Sequence, residues 1–424
     1  MASSFSDWAW LPRNLLLSLL EKIDQFSDYI QFSGVCQQWR RYALDQVTDD
    51  YKQRLRIFQS CHNKLPMLMM DTNENSEPAK RLLFSLTGEI TYSVDLPLPC
   101  TRRFIGSAFG WLLAIERSTM VITLLNPFTG GAVSLPPLKD PYGLYEGYID
   151  DDDPEGFIRK AILSSDPFLS PNNYEVVVIY DGMCRLAMFK SGQESWNFID
   201  RRDCSCSCFD VIYHRKGHIY GVDRMSNLVK IDFANGTEIV LTKQVKPSID
   251  MDMADAVYLV QSQEGDLLHV QRYWRGPPDG ETDRTSRIAV FKLLQHPTGE
   301  AEATWVPINR LGNQALFVGD NHSLLVSTLE FPECLPNRIY YTQHFHSDIP
   351  SYVPKGIDED SGIFNMEEES FQSCCIPDPH FGNNVLPLIW FVPNMRGTVS
   401  SCFQSTSCSG SGLMQSEFGK IKII

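Results

Sequence analysis

The chain has 424 residues, 43% of them hydrophobic, and a formal net charge of −15 from 37 Lys and Arg against 52 Asp and Glu. That apolar share suffices for a sizeable core and excludes wholesale disorder, while the length is a prior for two or three domains. The acidic balance, with no basic stripe interleaved with aromatics, argues against nucleic acid and anionic membranes as partners, because phosphate contact needs clustered Lys and Arg.

Residues 10–43, WLPRNLLLSLLEKIDQFSDYIQFSGVCQQWRRYA, place Leu15, Leu16, Leu19, Leu20 and Ile23 on one helical face. Arg13, Asn14, Ser18, Glu21 and Lys22 fall opposite. Pro12 suits the first helical position, where its missing N–H would be an orphan donor anyway. A second run, Ile30, Phe32, Val35, Cys36, Trp39 and Ala43, follows at near-helical spacing. Ser27 and Asp28 are placed to cap it, and Gly34 divides it. Helices this short cannot bury so much apolar surface among themselves. Part of it must meet the rest of the chain or another protein.

No basic region followed by an apolar core opens the chain, and no later stretch has the length a bilayer requires. The expectation is a protein of the cytoplasm or nucleus. In such a reducing compartment the twelve cysteines are expected as buried hydrophobes or free thiols. The sequons at Asn235 and Asn321 then read as chance matches.

Residues 45–60 are charged and helix-compatible, and 71–80 (DTNENSEPAK) read as a loop or hinge. From Arg81 the period becomes strand-like. Residues 82–86 and 90–94 flank Thr87-Gly88 as a hairpin. Further strands are expected at 104–115, 120–130 and 132–137, where Gly110-Trp111 opens one strand and Asn126-Pro127 closes the next. Similar units cover 174–199, 211–241, 258–308 and 315–365, with Trp196 and Trp305 in corresponding last strands. Four-stranded units with two open edges need neighbours that close a ring. Their period predicts a β-propeller of about six blades over 81–394, with five or seven left open. Residues 387–393 are expected to pair with 82–94 and shut the ring. A β-sandwich pair is the alternative architecture. Beyond Met395 the composition turns to Ser, Gly and Thr and predicts a disordered tail.

Candidate chemistry is sparse. Cys204, Cys206 and Cys208 alternate as on one strand face, but His214 and His218 complete no zinc spacing. Packing of small residues explains the cysteines better, and Cys374-Cys375 is weaker still. His344, His346 and Asp348 read as a solvated loop, and Asp150–Asp153 as an acidic loop without calcium-loop spacing. No nucleophile elbow, zincin or P-loop motif occurs.

The pairs Leu11-Pro12, Leu15-Leu16, Leu19-Leu20, Val35-Cys36 and Trp39-Arg40 resemble an F-box, the three-helix module by which substrate receptors dock on the Skp-type adaptor of cullin-RING ubiquitin ligases. Residues 22–26 depart from the Arg-Leu-Pro-like turn usual there. Gly106-Ser107, Gly110-Trp111, Leu125 to Gly130 and Leu135-Pro136-Pro137 resemble plant-type F-box proteins with a kelch-like C-terminal domain of unassigned chemistry. The two resemblances together cover nearly the whole chain. They imply an α+β multidomain protein: an F-box at 8–45, a linker at 46–80, the propeller at 81–394 and the tail at 395–424. The implied function is a non-enzymatic, cofactor-free and metal-free substrate-recognition subunit. Its partners would be a Skp-type adaptor, through it a cullin-RING ligase, and a target protein. The implied adaptor-binding residues are Leu11, Pro12, Leu15, Leu16, Leu19, Leu20, Ile23, Ile30, Val35, Cys36 and Trp39. The target would meet inter-strand loops such as 139–158, 273–287 and 343–361. One alternative is a stand-alone propeller scaffold. Another is a propeller enzyme with carboxylates or histidines at the channel mouth.

Overall fold

A computed structural model describes residues 8–23, 26–44, 66–71, 80–86, 91–96, 103–116, 118–128, 131–139, 158–180, 184–199, 208–215, 217–242, 254–275, 284–295, 303–342, 360–373, 388–393 and 421–423. Asp150–Asp153, His344, His346, Asp348, Cys204, Cys206, Cys374 and Cys375 lie outside the described residues. Among the described residues no helix is long and apolar enough to cross a membrane.

After a 3₁₀ turn at Trp8–Trp10 come α1 (Arg13–Leu20), α2 (Phe26–Gly34) and α3 (Gln37–Leu44). Pro12 is the N-cap of α1 instead of its first residue, and its carbonyl accepts from the amides of Leu15 and Leu16 at 3.0 and 3.2 Å. Ser27 and Asp28 fall inside the first turn of α2, where the Asp28 charge suits the exposed amide dipoles. Gly34 ends that helix. Cys36 precedes α3, and its Sγ accepts from the Trp39 amide at 3.5 Å. A thiol thus stands where a hydroxyl or carboxylate usually caps.

The strands follow as β1 (Met67–Asp71), β2 (Lys80–Phe84) and β3 (Thr91–Asp95), then β4 (Arg103–Ala108), β5 (Trp111–Glu116), β6 (Val121–Leu125) and β7 (Ala132–Ser134). Next come β8 (Ile158–Leu163), β9 (Glu175–Tyr180), β10 (Arg185–Lys190) and β11 (Asn197–Phe198), then β12 (Asp210–His214), β13 (His218–Val222), β14 (Leu228–Asp232) and β15 (Thr237–Val240). A further four are β16 (Ala256–Gln261), β17 (Leu267–Arg275), β18 (Arg284–Gln295) and β19 (Ala303–Ile308). The last are β20 (Gln314–Val318), β21 (Leu324–Ser327), β22 (Arg338–Tyr341), β23 (Gly362–Asn365), β24 (Ser370–Ser373), β25 (Ile389–Phe391) and β26 (Ile421–Ile423).

These strands form six sheets, the blades of a propeller. Blades two to five are the meanders β4–β7, β8–β11, β12–β15 and β16–β19. Blade one is assembled from both ends of the chain in the order β25-β1-β2-β3-β26, and blade six runs β21-β20-β22-β23-β24. Contacts from β25 to β4, β4 to β8, β8 to β12, β12 to β16 and β16 to β21 mark the inner strands.

Six apolar wedges hold the blades together, one at each junction. Strands buried on both faces send alternate residues into opposite wedges, which is why their sequences read as continuous apolar runs. In β9, Val176, Val178 and Tyr180 face blade two, while Val177 and Ile179 face blade four. In β20, Leu316 and Val318 pack on blade five, while Ala315 and Phe317 pack on blade one. Tryptophans stitch across the junctions. The indole of Trp111 donates to Asp166 (2.9 Å), that of Trp196 to the Pro136 carbonyl (2.8 Å) and that of Trp305 to the Ser226 carbonyl (3.0 Å). Gly106 explains the Gly-Ser pair at 106–107. A Cβ there would lie 2.1 Å from the Ala161 carbonyl oxygen of the next blade, while Ser107 donates to the Trp390 carbonyl at 2.6 Å on the other side.

Six expectations need correction. Strand β1 lies within the stretch assigned to a linker, and β26 within the stretch assigned to a disordered tail. The ring closes through β25 on β1, with Met67 opposite Phe391, and not on residues 82–94. Strand β8 supplies the inner edge of blade three from residues whose charges, Arg159 and Lys160, hide the apolar pattern. Blade six contains a parallel pair, β20 with β22, so it is not a simple meander. Finally, the helices do not own a separate core: Leu16, Leu20, Tyr29, Phe32 and Ala43 share one with blades one and two. An all-β propeller carrying a helical appendage describes the fold better than an α+β pair of independent domains.

Candidate functional site

The helices present two apolar stripes, and the chain uses them differently. Leu16 and Leu20 are four residues apart on α1 and have no exposed surface. They pack in the wedge with Met67, Met69, Leu83, Val94 and Phe391. Tyr29 on α2 donates its hydroxyl to the Ala43 carbonyl at 2.5 Å, which ties α2 to the end of α3. Helix α2 also meets β26, the outermost strand of blade one. Burial, with the Asp28 carboxylate of α2 adding to it, pushes the Tyr92 phenol of β3 up to about 12.

Leu15 and Leu19 sit one residue earlier on the same helix and face solvent, 47% and 40% exposed. Val35 is 52% exposed in the turn before α3, and Pro12 is exposed at the start of α1. Ahead of them Trp8 and Trp10 stand 64% and 75% exposed. Burying an exposed Leu or Val on a partner contributes about 1.5–3 kcal/mol before association costs. Exposed apolar residues grouped within one short helical segment mark an interaction surface better than residues scattered singly along a chain do.

The expected adaptor-facing residues therefore divide. Pro12, Leu15, Leu19 and Val35 are free to meet another molecule. Leu16 and Leu20 are withdrawn from any docking face, because the propeller already covers them. Leu11, Ile23 and Trp39 are partly buried against the same core, and Cys36 is engaged as the α3 cap. Trp39 is a strut: its indole donates to the Trp8 carbonyl at 2.9 Å, and its ring lies 4.7 Å from that of Phe32. Ile30 belongs to α2, but its side chain lies outside the described residues. Trp8 and Trp10 were missed. Their signal was two large aromatic residues directly ahead of Leu11-Pro12, outside the helical period.

The inner strands of the propeller carry a polar cluster. Lys160 of β8 meets Asp210 of β12 at 2.5 Å, both nearly buried. The other Asp210 oxygen accepts from the Leu259 amide of β16 at 2.7 Å. Burial first, and the Lys160 charge second, hold His322 down near 3. Both oxygens of Asp210 are thus committed to joining blades three, four and five, and His322 is neutral at ordinary pH. The cluster supplies inter-blade bonds and no free base. Cys208 packs beneath Gly221 in the wedge between blades three and four. His214 contacts the Gly265 carbonyl at 2.9 Å, away from that thiol.

Known proteins bear on both parts of the chain. It is 23% identical over 394 residues to F-box protein SKIP23 of Arabidopsis thaliana, covering 85% of this chain and 89% of that one. It is 23% identical over 379 residues to F-box protein At2g17036 of the same plant, covering 81% and 85%. Residues 83–365 match the family described as KIB1-4 beta-propeller, a span that begins in β2 and ends with β23. This chain belongs to the KIB1-4 beta-propeller family.

Proposed function

We propose that this chain is the substrate-recognition subunit of an SCF-type cullin-RING ubiquitin ligase. Residues 8–45 act as an F-box that docks on a Skp-type adaptor, and the kelch-like propeller holds the target protein. The observation that carries this reading is the split of α1 into two stripes. One stripe, Leu16 and Leu20, fixes the helices to the propeller, and the other, Leu15 and Leu19, is left uncovered, as are Trp8, Trp10 and Val35. Relatives named as F-box proteins that match over most of their length support it.

The chain's contribution to ubiquitin transfer is positional and not chemical. Ligase partners bring activated ubiquitin, and the propeller keeps a target lysine within reach, so an encounter between separate molecules becomes effectively intramolecular. Assembly of this kind takes place in the cytoplasm or nucleus.

Co-expression with a Skp-type adaptor and mild purification tests the reading. The two chains are expected to co-purify, and Leu15→Asp with Leu19→Asp is expected to abolish this while leaving a folded propeller. Purification of the unaltered chain free of adaptor would instead make it a stand-alone propeller scaffold.

A further inference from the structure

On blade six, residues 328–337 form a loop that is held rigidly yet presents leucines to solvent. Its start is pinned by the Thr328 amide on the Asn313 carbonyl (2.9 Å), and its end by the Asn337 amide on the Gln314 carbonyl (3.0 Å). Inside it, the Cys334 amide donates to the Phe331 carbonyl (3.0 Å) and the Leu335 amide to the Tyr340 hydroxyl (3.1 Å). Cys334 is buried and Phe331 packs into the wedge with blade one. Pro332 and Pro336 restrict the backbone further. Against this rigidity, Leu329 is 78% exposed and Leu335 48%.

Carboxylates flank the loop that carries these two leucines. Glu330 is exposed and accepts from Gln263 of blade five at 3.4 Å. At the other end of the loop, Asn337 donates to Glu367 at 3.1 Å, and Glu368 and Glu369 continue the same exposed turn between β23 and β24. Glu264, on the blade-five turn that carries Gln263, is exposed as well. Arg310 offsets part of this charge at 3.9 Å from Glu367. Arg338 is turned to Asn365 at 2.8 Å. Of the other exposed large apolar residues of the propeller, Phe371 follows the same turn on β24, while Phe109, Leu169, Met225, Val240 and Leu294 stand on separate turns or edges.

We infer that residues 328–337, with the adjoining turn 366–369, dock a basic segment of a captured protein that carries an apolar anchor residue. This rests on the receptor reading above and names the chemistry of the target. A preformed loop loses little entropy on binding, so its leucines retain most of their burial energy. The carboxylate rim selects lysine- and arginine-rich partners and accelerates their encounter. The same rim repels phosphate backbones, which fits the −15 net charge of the whole chain.

The probe is a short fluorescein-labelled peptide with arginines flanking a central leucine, titrated into the full-length chain and read by fluorescence anisotropy. Binding is expected to weaken with added salt, since exposed charges are screened beyond about 8–10 Å at physiological ionic strength. Leu329→Asp is expected to weaken it about tenfold or more, as loss of one anchor does. Reversal of Glu367, Glu368 and Glu369 to Lys together is expected to do the same. Both changes fall on exposed positions, so folding is retained, and near-ultraviolet circular dichroism checks it. The proposal is overturned if the peptide does not bind, if Leu329→Asp leaves binding unchanged, or if a leucine-free basic peptide binds equally well. Adaptor co-purification is measured on the unaltered chain. Its failure with peptide binding present counts against the receptor reading alone, and co-purification without peptide binding counts against this docking surface alone.

Discussion

The indole of Trp390 on β25 donates to the carbonyl of Val318 on blade six at 3.0 Å, so the inner strand of blade one is bolted to its neighbour. The Phe317 ring meets the same indole edge-on at 5.0 Å, and the Trp390 carbonyl accepts from Ser107 of blade two. One residue therefore spans three blades at the point where the ring shuts. A buried tryptophan replaced by alanine leaves a cavity and removes one of the two bonds that the Val318 carbonyl accepts, the other coming from the Thr342 amide at 3.2 Å. Trp390→Ala is expected to cost about 3–5 kcal/mol in urea unfolding. A shift of the midpoint within experimental error would show that closure depends on the β25–β1 ladder instead.

The strand grammar that produced six blades was legible because strands near the centre of the blades are buried on both faces, as in Glu175–Tyr180, EVVVIY. Where a strand is short or charged, the signal fades. Strand β8 carries Arg159 and Lys160, and the Lys160 charge becomes tolerable only once Asp210 arrives from the next blade, 50 residues on. Strand β1, MLMMD, has neither alternation nor β-branched residues, and its partners are set by the far end of the chain. The order of blade six is a long-range pairing choice that local patterns do not encode. On the helices, the apolar stripe was legible as one broad face. Its division into a sealed pair and an exposed pair depends on the angle at which the propeller meets α1, which no helical wheel contains.

That division makes a separable prediction. Leu16→Ala removes a fully buried side chain and is expected to destabilise the protein by about 2–5 kcal/mol. Leu15→Ala and Leu19→Ala, at roughly half-exposed positions, are expected to change stability by about 0.5 kcal/mol or less. Adaptor affinity should follow the opposite order: impaired by the second pair, and by Leu16→Ala only where unfolding accounts for it. Thermal unfolding and an adaptor titration on the three variants decide it. Equal stability losses at all three positions would mean that Leu15 and Leu19 also hold the helix to the propeller.

His269 makes stability depend on pH. It is fully buried on β17, with Nε2 at 2.9 Å from the Ser226 hydroxyl and its ring against Phe291 and Trp305. Burial holds it down to about 4. The folded state therefore keeps His269 neutral while the unfolded chain takes up a proton below about 6.5. Its stabilising contribution is complete above that pH and is lost as pH falls from about 6.5 to 4, by about 3 kcal/mol in all. His322, also held low by burial, acts in the same direction. Urea midpoints are expected to fall on acidification through this range, and His269→Gln should flatten the slope. An unchanged slope in that variant would assign the pH dependence to His322 or to other groups.

The far C-terminus completes the link between helices and propeller. Strand β26 runs antiparallel along the free edge of β3, with Ile421 opposite Val94 and Ile423 opposite Tyr92. It also meets α2. An edge strand left open exposes unpaired amides and carbonyls, so β26 both closes blade one and provides the surface on which α2 rests. The sequence Ile-Lys-Ile alternates as a strand with one apolar face requires. Removal of residues 420–424 should therefore leave the other five blades intact while loosening one local region. Hydrogen exchange is expected to accelerate in the β3 amides and in α2, and to stay slow in β9 and β17. Adaptor binding through Leu15 and Leu19 should persist, because those side chains are exposed on α1, whereas the orientation of the helices relative to the propeller should broaden. Unchanged protection in both β3 and α2 would show that Leu16, Leu20 and Phe32 anchor the helices without help from the terminal strand.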